Sequence, residues 1–161
     1  MRLTSTTGSE FTLKIEGYES SARGIDRYDD NWLGISIVVK SPQGEWTARG
    51  PYLLQWEAEQ LATWLEGMSK KAPLPGNLSF TDDLSFMEPN LWFEMRRRPG
   101  ESSVLRIQFG IEFRPPWADK YHGESYVDLT LSVDDLLNAA RGLRADLKQF
   151  PARAAEGDLK R

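Results

Sequence analysis

The sequence predicts an α+β protein: a largely antiparallel, curved β-sheet carrying two amphipathic helices at about residues 52–68 and 133–149. Three observations lead there. Apolar residues alternate with polar ones in Phe11–Ile15, Leu91–Met95 and Leu105–Phe113, the period of a half-buried strand. Between Leu53 and Met68, and again between Val133 and Leu147, they recur at helical spacing. The order of strands, helix, strands, helix also lacks the alternating βαβ units that build a parallel sheet.

Phe11-Thr12-Leu13-Lys14-Ile15 opens the series as a strand, and Ser20 to Asn31 is a polar loop. Trp32 to Lys40 is a strong strand closed by the turn Ser41-Pro42-Gln43-Gly44, with Glu45–Arg49 as the returning arm of a hairpin. Gly50-Pro51 is expected to break that arm and open a helix over Tyr52–Met68, since proline suits a first helical turn. Glu57 falls near the middle of this helix's apolar face. A carboxylate there is costly unless paired, so either a basic partner from a strand sits opposite, Arg114 being one candidate, or the helix end twists away.

After the Lys70–Pro75 linker come extended segments near Leu78–Phe80, Leu84–Met87, Leu91–Arg97 and Val104–Phe113, the last two joined through Pro99-Gly100-Glu101-Ser102. Tyr126–Leu131 adds a strand. Ser132-Val133-Asp134-Asp135 then caps a second helix, whose stripe is Val133, Leu136, Leu137, Ala140, Leu143 and Leu147, ended by Phe150-Pro151.

With 161 residues the chain suits one domain over residues 1–151, with 152–161 a disordered tail. A folded chain of 18.3 kDa exposes about 8,000 Å² and buries about 70% of its unfolded surface, enough for a core. Twenty Lys and Arg stand against twenty-four Asp and Glu, a net charge of −4, with the signs interleaved along the whole length. The absence of a basic stripe disfavours nucleic-acid binding. A modest acidic excess suits a basic partner, but −4 is also ordinary for solubility. The opening residues carry no apolar run resembling a secretory signal, and Trp32–Val39 is too short to span a bilayer, so a cytoplasmic, non-membrane protein is expected.

The composition also narrows the chemistry. With no Cys there is no disulfide framework, thiol nucleophile or Cys-based zinc site. One histidine, His122, cannot build a multi-histidine metal site, and no phosphate-binding glycine loop occurs. His122 lies in the polar turn Asp119-Lys120-Tyr121-His122-Gly123. As a general base it would need an orienting partner that the sequence does not signal, so an exposed loop histidine is the preferred reading. No metal and no cofactor are expected.

Asp26, Asp29 and Asp30 cluster before the strong strand, and Asp82 and Asp83 form a second acidic patch with Glu88. The spacing lacks a calcium-loop pattern, so contact with a basic protein is the functional reading and a solvated loop the plain one. Arg96-Arg97-Arg98 ends a strand and points to alternating faces, which makes it no single patch. The six tryptophans are Trp32, Trp46, Trp56, Trp64, Trp92 and Trp117. Trp64 falls on the apolar helical face, whereas Trp92 lies on the strand face opposite Leu91, Phe93 and Met95. Exposed tryptophans near acidic loops are good anchors for a protein interface, but core filling explains most of the six.

Several segments together resemble the WapI-like immunity proteins of bacterial polymorphic-toxin systems. They are Asp30-Asn31-Trp32-Leu33-Gly34-Ile35, Leu53-Leu54-Gln55-Trp56-Glu57, Trp64-Leu65, Phe86-Met87-Glu88-Pro89-Asn90-Leu91-Trp92-Phe93, Arg114-Pro115-Pro116-Trp117 and Phe150-Pro151. They cover about residues 10–151, in order, and none is a catalytic signature. The resemblance implies a cytoplasmic antidote that binds and neutralises a cognate toxin C-terminal domain, often a nuclease, with no cofactor and no reaction of its own. It implies that Asn31, Trp32, Trp56, Glu57, Glu88, Asn90, Arg114 and Trp117 are architectural. The Arg23–Asp30 loop and the Lys70–Asp83 linker depart from the family pattern and are the candidates for specificity. A chaperone or adaptor for a secreted protein is the alternative reading, and a small hydrolase using carboxylates is the enzyme alternative.

Overall fold

A computed structural model describes residues 1–21, 24, 26–70, 80–97, 103–119 and 122–153, with only the backbone taken at 80–82 and 97. The 71–75 part of the linker, residues 78–79, the 99–102 connection, Arg23 and the tail from 154 onward lie outside the described residues. The fold is α+β, as the sequence predicts, but its strands form two sheets. Strands β1 (Arg2–Thr4), β2 (Glu10–Tyr18), β3 (Trp32–Ser41) and β4 (Gly44–Leu54) pair in that order. Strands β5 (Phe80–Ser85), β6 (Leu91–Arg97), β7 (Val104–Phe109) and β8 (Tyr126–Thr130) form the second sheet, also in order. Every pairing is antiparallel. Between the sheets in sequence comes α1 (Gln55–Lys70), and α2 (Val133–Leu147) closes the fold.

The alternation that marks the strands also builds the core. Phe11, Leu13 and Ile15 of β2 stand opposite Val39, Ile37 and Ile35 of β3. In the second sheet Leu91, Phe93 and Met95 face Phe109, Ile107 and Leu105. All twelve are buried in one apolar cluster with the helices. Phe11 joins the sheets, its ring 5.9 Å from Phe93 and 6.2 Å from Phe109. At one corner Thr130 donates its N–H to Ser5 Oγ, and its carbonyl accepts from Thr6, so β8 is tied to the end of β1.

Helix α2 begins where Ser132 predicts. The Ser132 hydroxyl accepts from Asp135 N–H while the Asp135 carboxylate accepts from Ser132 N–H, a reciprocal cap worth about 1 kcal/mol. Its stripe starts at Leu136. Val133, expected in that stripe, is 55% exposed, because it occupies the first helical position ahead of the face that meets the core.

Four expectations are corrected. Gly50-Pro51 does not end the strand: β4 runs on to Leu54, and α1 starts three residues later than expected. The register explains this, since Ile35 pairs with Gly50 but Leu33 with Leu53, leaving Pro51 in a bulge where its missing N–H interrupts no ladder bond. The segment Val104–Phe113 stops at Phe109. A Cβ on Gly110 would sit 2.0 Å from the Pro89 carbonyl oxygen, and beyond this tight crossing Ile111–Phe113 forms a 3₁₀ turn that leaves Ile111 exposed. The segment expected at Leu84–Met87 belongs to a longer strand, β5, which stops at Ser85, and Met87 itself is exposed. Strand β1 has no period-two signature of its own and is held by pairing with β2, Leu3 opposite Phe11.

Candidate functional site

The motif residues fall into three clamps on the scaffold. In the first, Asp26 Oδ1 accepts from the N–H groups of Tyr28 at 2.6 Å and Asp29 at 2.8 Å, which folds the loop into the 3₁₀ turn Asp29–Asn31. Asn31 is buried there. Its amide donates to the carbonyls of Arg27 and Arg153, both at 2.8 Å, and its Oδ1 accepts from Arg153 N–H. The Arg153 guanidinium lies 3.4 Å over the Tyr18 ring, and the Tyr18 hydroxyl donates to the Pro151 carbonyl, with Phe150 edge-on to the same ring. One asparagine thus fastens the loop to the closing Phe150-Pro151 segment. Trp56, half-buried, receives Tyr28 edge-on and Arg27 over its face, while the half-buried Trp32 pairs with Leu54 on β4.

The second clamp is Glu57. Because α1 starts at Gln55, this carboxylate lies in the first helical turn, where backbone N–H groups lack intrahelical partners. Its Oε2 accepts from Leu54 N–H at 2.9 Å and its Oε1 from Met87 N–H at 2.7 Å. The expected ion pair with Arg114 is therefore incorrect, and two backbone amides satisfy the buried charge. The loop that Glu57 grips continues to the next tie. Glu88, half-buried, accepts at its carbonyl from Asn90 N–H. Asn90, buried, accepts from Gly110 N–H at its carbonyl and from Glu112 N–H at Oδ1. Nearby, burial and then the charges of Glu112 and Glu88 push the Tyr52 hydroxyl above its ordinary pKa.

Arg114 makes the third clamp, donating to the carbonyls of Asp119, His122 and Gly123 and so wrapping its own loop. Trp117 folds back edge-on to Trp46 at 5.6 Å and covers Gly44. Gly44 has φ +149°, and a Cβ there would lie 2.7 Å from the Trp117 ring, so the hairpin turn and the tryptophan require glycine together. The structure also supplies an orienting partner that the sequence did not signal: His122 Nδ1 lies 3.3 Å from Asp119 Oδ2. Both side chains are largely exposed, at 84% and 59%, so the pair sits in water rather than in a cleft.

The acidic candidates separate. Asp26 and Asp29 are exposed, whereas Asp30 is fully buried and accepts from Gly24 N–H at 2.8 Å. Asp30 is thereby removed from the exposed surface on which the sequence placed it, because its carboxylate shapes the loop from inside. Asp83 is exposed on β5, and the side chain of Asp82 lies outside the described residues. The structure does not bring the loop carboxylates and Asp83 into one hydrogen-bonded group. Among the described residues no cluster of three or more metal-ligating side chains occurs, and none of their helices is long and apolar enough to cross a membrane.

The family model for the immunity protein WapI-like family matches residues 2–151. This chain belongs to that family. No curated protein and no solved structure matches the chain. The second and third clamps lie within the span matched to the WapI-like family, and the first reaches two residues past it, to Arg153. In them Asn31, Glu57, Asn90 and Arg114 bond backbone groups, which leaves the open face of the second sheet as a separate surface.

That face is built by cross-strand register. Ser85, Trp92, Gln108 and Tyr126 form one row across β5–β8, and Asp83, Glu94, Arg106 and Asp128 form the next. Trp92 is 36% exposed and Tyr126 44%. Arg106 donates to both Asp128 oxygens at 2.8 Å and lies 3.8 Å over the Tyr126 ring. The Asp128 carboxylate raises the Arg106 pKa above its ordinary value. Alternation in Leu91–Met95 placed Trp92 on the outer face. The sequence reading did not single out Tyr126, Glu94 or Asp128, whose signal lies in the pairing of four strands.

Proposed function

We propose that this protein is a non-catalytic, cytoplasmic immunity protein that binds a cognate toxin C-terminal domain, of nuclease type, and neutralises it by occlusion. Membership of the WapI-like immunity family over residues 2–151 carries this reading. The burial of the motif's polar groups in backbone clamps accords with it, since Asn31, Glu57 and Asn90 are occupied in holding loops. In this reading the exposed carboxylates Asp26, Asp29 and Asp83, together with Asp82 next to Asp83 in sequence, steer a basic domain into contact. An interface of ordinary size, about 1,600 Å² in total, suffices to cover an active site.

The experiment is co-expression. The C-terminal domain encoded by the adjacent upstream gene is produced in a bacterial host, with and without this protein, and growth is followed. Arrest relieved only by co-expression, with the two chains co-purifying, is the expected result. A toxic domain that this protein neither relieves nor binds would contradict the proposal.

A further inference from the structure

We infer that the outer face of the second sheet, centred on Trp92 and Tyr126, is the surface that meets the toxin domain, and that the patch it takes on that partner carries Lys or Arg. The inference rests on the immunity reading above and adds to it the place and chemistry of contact.

The exposed aromatics are the first observation. Trp92 and Tyr126 share one row, two strands apart, which sets them about 10 Å from each other. Large aromatic side chains on an outward face leave part of their apolar area in water, and buried aromatics dominate protein interfaces. Tyr126 is also held in place, pinned under the Arg106 guanidinium that Asp128 fixes, so little side-chain freedom remains to be lost on binding. Beyond β8 the surface continues into a depression that Tyr126 lines together with Trp117 and Glu124.

Charge is the second observation. Asp83 and Glu94 are directly opposed across β5 and β6, an arrangement of like charges that weakens a sheet. Glu94 is partnered by Arg96, its Oε1 accepting from Nε at 2.8 Å. Among the described residues none donates to the Asp83 carboxylate, which stands exposed beside Trp92 in the same shallow recess. A cation from a partner, placed between Asp83 and Glu94, relieves that repulsion, while an anionic partner would aggravate it.

Size sets the extent. Three strand spacings by six residues give a face of about 14 by 20 Å, or roughly 300 Å². A stable complex covers about 800 Å² on each partner. The contact therefore runs past the sheet, over the end of β8 and onto Trp117 and Glu124.

The test titrates the full chain with the toxin domain, comparing wild type, the double substitution Trp92→Thr with Tyr126→Thr, and Asp83→Asn. Threonine keeps the strand propensity of both positions. The double variant is expected to lose at least about 100-fold in affinity. Asp83→Asn should slow association about threefold at low salt, with the difference fading at high salt. As a reading that needs no variant, hydroxyl-radical footprinting of the wild-type chain should show Trp92 and Tyr126 protected by the toxin domain.

Wild-type binding with both aromatics still fully reactive, or with the double variant bound within threefold, would overturn the surface and leave the immunity reading standing. Failure of the wild-type chain to bind would overturn both. Sedimentation of the free chain as a dimer that the double variant abolishes would assign the face to a second copy instead.

Discussion

The two sheets are built alike and dressed differently on their outer faces. Each is a four-stranded antiparallel meander with one side in the common core. On the outer side of the first sheet, Lys14, Ser36 and Arg49 form one row, and Thr12, Val38 and Thr47 the next. Arg2 and Glu10 pair at its edge, and Ser36 donates to Glu16 at 2.9 Å. These are long charged side chains and small hydroxyl or β-branched ones, the composition that keeps an open sheet in water and discourages association. The second sheet carries Trp92 and Tyr126 in the equivalent direction, with Asp83 beside them, to which none of the described residues donates. Since the cores beneath are equivalent, the difference in dress reflects what each face meets.

Substitutions away from both faces sharpen that contrast, because those that alter only the scaffold should spare recognition. Glu57→Ala has the largest expected effect on stability. It orphans the N–H groups of Leu54 and Met87 at a buried site, and about 3 kcal/mol of stability should be lost, lowering the melting temperature by about 10 °C. Protein that remains folded should still bind the toxin domain. Full stability by urea denaturation would show that the clamp is not structural.

Gly44→Ala comes next. The new methyl meets the Trp117 ring and the φ of +149° disfavours any side chain, so about 2 kcal/mol should be lost. This site lies where a hairpin of the first sheet touches the aromatic margin of the second. Displacement of Trp117 should therefore weaken toxin binding severalfold as well. A variant destabilised but unaltered in binding would exclude Trp117 from the interface.

Glu66→Gln is the mildest. Arg144 donates to Glu66 from Nε at 2.6 Å, tying α2 to α1, and this bond holds the Glu66 carboxyl below its ordinary pKa of 4.5. A lowered folded-state pKa means that the bridge contributes fully above the unfolded value and is lost as pH falls through the folded one. Because the pair is partly exposed to water, the contribution is below about 1 kcal/mol. Glu66→Gln should remove that fraction of the stability at pH 7 and flatten its decline below about pH 4. An unchanged pH profile of thermal unfolding would rule the bridge out as a contributor.

What the sequence disclosed divides along local and long-range lines. Alternation in Leu91–Met95 and Leu105–Phe109 placed both faces correctly because a strand's period is a property of neighbouring residues. The capping box of α2 was legible for the same reason, since Ser132 and Asp135 are three residues apart. Gly50-Pro51 misled because the bulge that absorbs it is defined by register against Leu33 and Ile35. The partners of Glu57 then followed from the true start of α1, three residues downstream. Asp30 looked like its neighbours in sequence and was separated from them only by the fold of the loop onto Gly24. The candidate surface was half visible. Trp92 was placed outward by alternation, while its rows with Tyr126, Asp83 and Glu94 required the assembled sheet.

The most direct measurement of the central claim is growth rescue by two variants expressed beside the toxin domain. One carries Trp92→Thr and Tyr126→Thr on the second sheet. The other carries Lys40→Gln and Glu45→Gln, an opposed pair on the first sheet whose replacement leaves net charge unchanged. With both accumulating as folded protein, the first-sheet variant should protect as well as wild type and the second-sheet variant should not. Equal protection by both, or loss only with the first-sheet variant, would contradict the assignment of recognition to the aromatic face.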